Sequence, residues 1–280
     1  MTTSQFLIIG GSGRTGRRIT SRLESRGLPF RATSRHTGHL FDWHNTSTWD
    51  AALDGVTSAY VCYSPDLAFP GVPELIADFS ARARTRGVRR LVLLSGRGEE
   101  GAIASEQALQ QSGIEWTVLR SSWFAQNFSE HFLLGPVLRG RLVLPAGDVV
   151  EPFVDLDDLA EVATSALLGE IDAGRVYELT GPRLLSMHDV AAELSAAAGR
   201  SIEYVPGTPE EFVTDVEADG ILRQEAEPLA ELFDTILDGR NASLTGDLGE
   251  VLDREPTDFS VYARRAAATG VWSVPARMTA

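Results

Sequence analysis

The stretch Phe6-Leu7-Ile8-Ile9-Gly10-Gly11-Ser12-Gly13-Arg14-Thr15-Gly16-Arg17-Arg18-Ile19 constrains the fold more than any other part of this chain. A short apolar run passes through a glycine cluster into an amphipathic pattern, which reads as strand, tight turn and helix. Gly10, Gly13 and Gly16 have the spacing G-x-x-G-x-x-G. The first glycine lets the backbone turn sharply off the strand. The second lets a phosphate approach the main chain with no Cβ in the way, and the third lets the helix pack close to the sheet. A helix start also offers N–H groups and about half a positive charge, which suit a pyrophosphate. A plain strand-to-helix turn is the competing reading. The flanking strand and helix supply the context the motif needs, so Gly10, Ser12, Gly13, Arg14, Thr15 and Gly16 are candidates for binding a dinucleotide.

The rest of the chain repeats the alternation. Apolar runs at 5–9, 28–34, 57–62, 91–94, 116–119 and 175–180 read as strands. Helical patterns at 15–26, 48–53, 72–86, within 98–113 and at 157–168 lie between them. This order predicts an α/β fold, a doubly wound parallel Rossmann sheet with helices on both faces. Residues 1–130 are expected to form the dinucleotide-binding core. Residues 131–280 are expected to supply the remaining sheet edge and a small α/β C-terminal lobe, interleaved with the core. In that lobe Ser186 and Asp189 have capping-box spacing, Pro209 suits a first helical position, and Thr257 or Asp258 suits the cap of a last helix over 258–268.

Open α/β sheets bind ligands at the carboxyl ends of their strands. The second strand ends in Ser34-Arg35-His36. An acidic residue there would select NAD by accepting from the ribose 2′-OH, whereas a hydroxyl and a guanidinium suit the 2′-phosphate of NADP. NADP is therefore the expected cofactor, with Ser34 and Arg35 on its phosphate. In Phe41-Asp42-Trp43, after a short expected strand, Asp42 is placed to accept from an adenine amino group and Phe41 or Trp43 to cover the ring. The alternative is a loop that buries two aromatics. Cys62 and Tyr63, before Ser64-Pro65, and Ser95, before Gly96, fall at strand ends beside the expected cofactor. Trp123, Phe124 and Phe128 lie at helical spacing and read as a stripe facing a core. Arg120 either meets a phosphate or caps the sheet.

Composition excludes other chemistries. The formal charge of −14 disfavours nucleic acid and anionic membranes. No apolar run approaches the ~20 residues of a membrane span, and the first residues have no secretory pattern, so a cytoplasmic protein is expected. Cys62 is the sole cysteine and the five histidines are scattered, so no metal site is expected. The sequence contains no lysine. That rules out a Schiff-base lysine, a P-loop lysine and the Tyr-x-x-x-Lys pair. No Gly-x-Ser-x-Gly elbow is present.

Several motifs together resemble the NmrA-like atypical short-chain dehydrogenase/reductases: the glycine turn, Leu93-Leu94-Ser95, the run from Ser112 to Arg120, and Phe124-Ala125-Gln126-Asn127-Phe128. Phe41-Asp42-Trp43 followed by Ser47-Thr48-Trp49, with Leu179-Thr180-Gly181-Pro182, is similar to the agroclavine dehydrogenase-like branch of ergot alkaloid biosynthesis proteins. The resemblance runs to about residue 205. It departs at Arg120-Ser121, where the family has Arg-Pro. It implies an extended Rossmann domain and a small lobe that closes the substrate cleft. Some members of the family reduce small unsaturated substrates with NADPH; others sense the dinucleotide and regulate partners. The closer branch implies reduction of a cyclic iminium.

Ordinary short-chain reductases protonate the carbonyl oxygen with a tyrosine whose pKa a lysine lowers. Tyr60, Tyr63, Tyr177, Tyr204 and Tyr262 have no such partner, which disfavours ketone reduction. An iminium carbon is already positive and needs no acid; the protein supplies orientation and charge complementarity. Tyr63, Trp123 and Phe124 are candidates to hold the cationic ring. Ser95 is a candidate to orient substrate or nicotinamide, and Asn127 to make a polar contact. Glu99 or Glu100 either offsets the cation or lies in a solvated loop. Cys62 is either a reactive thiol or a small buried residue. The expected function is NADPH-dependent reduction of a small imine or iminium in secondary metabolism, by one chain or a homodimer. The alternatives are a non-catalytic dinucleotide sensor and an NADPH quinone reductase.

Overall fold

The computed structural model describes residues 6–35, 39–64 and 66–274. Gln5, His36 and Pro65, which figure in the sequence reading, lie outside them.

The chain forms two compact units, the first of which comprises residues 1–121, 156–179 and 246–254. Its six-stranded sheet runs β2 (Phe30–Thr33), β1 (Phe6–Ile9), β3 (Ser58–Val61), β4 (Arg90–Gly96), β5 (Glu115–Ser121), β8 (Arg175–Leu179), every pair parallel. The helices are α1 (Arg14–Ser25), α2 (Trp49–Leu53), α3 (Val72–Thr85), α4 (Glu100–Gln110), α7 (Leu156–Leu168) and α11 (Asp247–Leu252). Because strands buried on both faces need covering from both, β1 and the runs 59–61 of β3 and 91–94 of β4 are apolar, whereas the edge strands β2 and β8 carry polar residues. Leu91 and Leu93 on β4 share a core with Ile76 and Phe79 of α3 and Leu109 of α4. By alternation, Ser95 continues that face of β4. Chain order reverses between β1 and β3, and that crevice is where doubly wound sheets bind their ligands.

The second unit comprises residues 122–155, 180–245 and 255–280. It holds α5 (Asn127–Glu130), α6 (Leu134–Arg139), α8 (Met187–Ala198), α9 (Pro209–Glu217), α10 (Arg223–Ile236) and α12 (Phe259–Ala268). Strand β6 (Arg141–Leu144) pairs parallel with β10 (Glu203–Pro206), and β7 (Val150–Glu151) pairs antiparallel with β9 (Leu185–Ser186). Its core gathers Phe128, Phe132, Phe153, Phe212, Phe233 and Phe259. Local sequence sets the helix starts. Ser186 and Asp189 cap α8 reciprocally, Thr208 and Glu211 do the same for α9 ahead of Pro209, and Asp258 accepts from the Ser260 N–H on α12.

The units divide after Ser121, whereas the sequence placed the change of role near residue 130. Two local expectations are corrected. Residues 123–128 are not one helix. Phe124 bridges to Val154, Ala125 N–H donates to Val154 O (2.9 Å), and α5 begins only at Asn127. A pairing 30 residues away in sequence overrides the helical spacing. Only an isolated bridge, Ser34 to Leu40, stands where a short strand was expected before Asp42.

Candidate active site

The glycine turn has the geometry its spacing predicts. Gly10 takes φ +68°, a left-handed conformation that a side chain resists. Gly13 N–H donates to Gly10 O (2.8 Å) and closes the turn. A Cβ at Gly16 would overlap the Gly10 carbonyl oxygen and lie 2.7 Å from Gly11 Cα, so α1 sits against the turn only because residue 16 has none. Gly13 is the N-cap of α1, no side chain caps the helix, and its first turn carries no acidic residue. Ser12 and Gly13 are exposed, Arg14 is half-buried and Thr15 is buried. An uncapped helix start at the reversal point of the sheet is a place for a pyrophosphate.

At the end of β2, Ser34 is half-buried and Arg35 exposed. Asp42 is turned back on its own loop, where Oδ1 accepts from the His44 N–H (2.9 Å). Phe41 and Trp43 are both buried. Phe41 lies parallel to Trp49 with ring centroids 6.2 Å apart, and Trp43 Nε1 donates to Cys62 O (3.1 Å). Their packing matches the reading of a loop that buries two aromatics. Tyr63 is half-buried, tilted against Trp43 with ring centroids 5.7 Å apart, and its hydroxyl lies 3.4 Å from His44 Nε2. Cys62 Sγ donates to Ile9 O (3.1 Å), and burial pushes the thiol up to about 12. Of its two readings the structure supports the inert one.

Ser95 has the most defined setting. Its Oγ donates to Glu106 Oε1 (2.6 Å), and Glu106 is 1% exposed on α4. Arg120 Nε reaches the same oxygen (3.0 Å), while its Nη2 reaches Oε2. Arg120 Nη1 also donates to Glu178 Oε1 (3.0 Å), and Arg97 Nε to Glu178 Oε2 (3.2 Å). Ser95, Arg120 and Glu178 are in register across β4, β5 and β8, so one rung of the sheet carries the network. Of the two roles left open for Arg120, it caps the sheet.

Glu99 differs from both of its expected settings. Its carboxyl lies against Gly96, in space that a Cβ there would occupy. Burial, then the charge of and hydrogen bond with Asp66, push it up to about 8. Near neutral pH it is mostly protonated and offsets little cationic charge. Between its ordinary 4.5 and about 8 the folded protein holds a proton that the unfolded chain has released. Stability therefore falls as pH rises through that window. Glu99→Gln removes the dependence. Urea titrations at about pH 5 and about pH 9 should show wild type losing about 1–3 kcal/mol more than the variant across the range. A wild-type loss no larger than the variant's contradicts the assignment.

In the second unit, Trp123 stacks on Phe233 (4.7 Å, 8°) and its buried Nε1 finds no hydrogen-bond partner among the described residues. Phe124 is half-buried and Asn127 buried. Sequence reasoning missed Glu106, Glu178 and Arg97. The only available signal was Glu106 at the spacing of an inward-facing residue of α4, on a helix that also needs exposed charges. Among the described residues, no cluster of His, Cys, Asp or Glu is placed to hold a metal ion, and no helix is long and apolar enough to cross a membrane.

The chain is similar to known proteins in sequence and fold. The chain is 33% identical to the uncharacterized oxidoreductase YesF of Bacillus subtilis, over 98% of this chain and 99% of that one. It is 30% identical to the agroclavine dehydrogenase of Claviceps fusiformis, over 92% and 95% respectively. The fold matches the NADPH complex of the quinone oxidoreductase QOR2 of Escherichia coli with TM-score 0.78 at 20% identity, covering 93% of this chain and 99% of that one. No family model matches the chain. The chain belongs to the NmrA-like atypical short-chain dehydrogenase/reductases and is an NAD(P)H-dependent oxidoreductase.

Proposed function

We propose that this protein uses NADPH to reduce a small imine, iminium or related unsaturated compound. One observation carries the reading. At the strand ends of the first unit, the Ser95 proton is committed to Glu106, and the chain has no lysine to activate a tyrosine. That suits a substrate that is already electrophilic better than a ketone that must be protonated. The similarity to agroclavine dehydrogenase points the same way.

Bound NADPH supplies the hydride. The chain's own residues would hold it in a defined order along the sheet edge. The turn from Gly10 to Gly16 would take the pyrophosphate, Ser34 and Arg35 the 2′-phosphate, Asp42 the adenine side, and Cys62, Tyr63 and Ser95 the nicotinamide side. Taken unit by unit, Tyr63 of the first and Trp123 and Phe124 of the second are the aromatic residues proposed for a cationic ring, each contact being worth about 0.5–2 kcal/mol. Asn127 is a further polar contact.

The test follows NADPH absorbance with a panel of cyclic imines, iminium salts, quinones and ketones, with NADH alongside. Imine turnover with NADPH preference is expected, and Arg35→Ala should weaken NADPH about tenfold or more while leaving NADH within about twofold. Equal losses for both cofactors would remove the Arg35 assignment. Quinone turnover alone would favour the quinone-reductase reading, and tight binding without turnover the sensor.

A further inference from the structure

Glu106 is a buried carboxylate that no step of the proposed reaction uses, and its hydrogen bonds dictate what Ser95 can do. A guanidinium can only donate. Arg120 donates to both Glu106 oxygens, and Ser95 Oγ donates to Oε1, so the Ser95 proton lies in the Ser95–Glu106 hydrogen bond. With that proton spent, the Ser95 oxygen has only lone pairs to offer. Glu178 restrains Arg120 from the other side, and Arg97 restrains Glu178. The polarity of one hydroxyl is thus set by four charged side chains.

Sheet geometry says which ligand group that hydroxyl meets. Ser95 is the penultimate residue of β4, two strands from the glycine turn on β1 and on the side away from β2. At about 4.8 Å per strand that is roughly 10 Å. With the 2′-phosphate at the end of β2 and the pyrophosphate at the start of α1, the nicotinamide half extends toward β3 and β4.

We propose that the Glu106–Arg120 pair fixes Ser95 as a hydrogen-bond acceptor for the N–H of the nicotinamide carboxamide. The inference rests on the cofactor assignment above and not on the substrate. Glu106 and Arg120 act as positioning residues, and Ser95 makes the contact. A carboxamide anchored through its N–H has its carbonyl oxygen turned away from Ser95, which selects one of the ring's two orientations.

The 3-acetylpyridine analogue of NADP⁺ separates acceptor from donor, because it keeps the carbonyl and lacks the N–H. Its affinity and that of NADP⁺ are measured by calorimetry, so no turnover is needed. Wild type should bind NADP⁺ about tenfold more tightly than the analogue, as expected for a buried hydrogen bond. In Ser95→Ala the two affinities should converge to within about twofold, almost entirely through weaker NADP⁺ binding. The wild-type comparison alone needs no substitution, so a misfolded variant does not protect the proposal. Equal loss of both ligands in Ser95→Ala, or unchanged preference, would overturn it. Failure of wild type to bind NADP⁺ at all would overturn the cofactor assignment, and the proposal with it.

Discussion

Gly16→Ala is expected to cost about 2–3 kcal/mol of stability and to weaken NADPH at least about tenfold. The new Cβ meets backbone on both sides, the Gly10 carbonyl and Gly11 Cα, and no rotamer change can relieve that contact. Either α1 moves away from the turn or the turn opens, and both displace the helix start from the pyrophosphate. For a chain of this size the melting temperature should fall by about 5–10 °C. Ser12→Ala, at an exposed position in the same turn, should leave stability within about 0.5 kcal/mol. Thermal unfolding with and without NADPH measures both effects. A Gly16→Ala protein with wild-type melting and affinity would show that the helix does not sit where it is described.

Arg120→Ala should be more damaging to stability, at about 3–5 kcal/mol, for an electrostatic reason. It leaves the Glu106 carboxylate in a site 1% exposed, facing the Ser95 hydroxyl with no cation beside it. The hydrogen bonds to Glu106 are the largest influence raising the Arg120 pKa, as expected of a tightly matched pair. Replacing both partners, as Glu106→Leu with Arg120→Met, should recover at least half of the loss, because no buried charge is then stranded. Urea unfolding of the single and double variants completes the cycle. A small effect of Arg120→Ala, below about 1 kcal/mol, would mean that water reaches Glu106.

What could be read from the sequence follows from the range over which each feature is determined. The turn from Gly10 to Gly16, the strand–helix alternation, the caps at Ser186 and Asp258 and the helix start at Pro209 are set by residues a few positions apart, and they stand where their spacing put them. The network around Ser95 was not legible. Glu106 and Glu178 are 72 positions apart and share Arg120, which the pairing of β4, β5 and β8 places between Ser95 and Glu178. Trp123 and Phe128 do face a core, but the extended backbone at Phe124 was hidden for the same reason, since its partner residue is Val154. The site's backbone was therefore visible early, whereas the protonation and polarity of its side chains required the fold.

The most direct test of the central claim uses NADPH carrying deuterium at its transferable position, a cyclic iminium salt and mass spectrometry of the product. One deuterium is expected in the reduced product, bound to the former iminium carbon. Reduced product without the label, or no product beside tight NADPH binding, would contradict it.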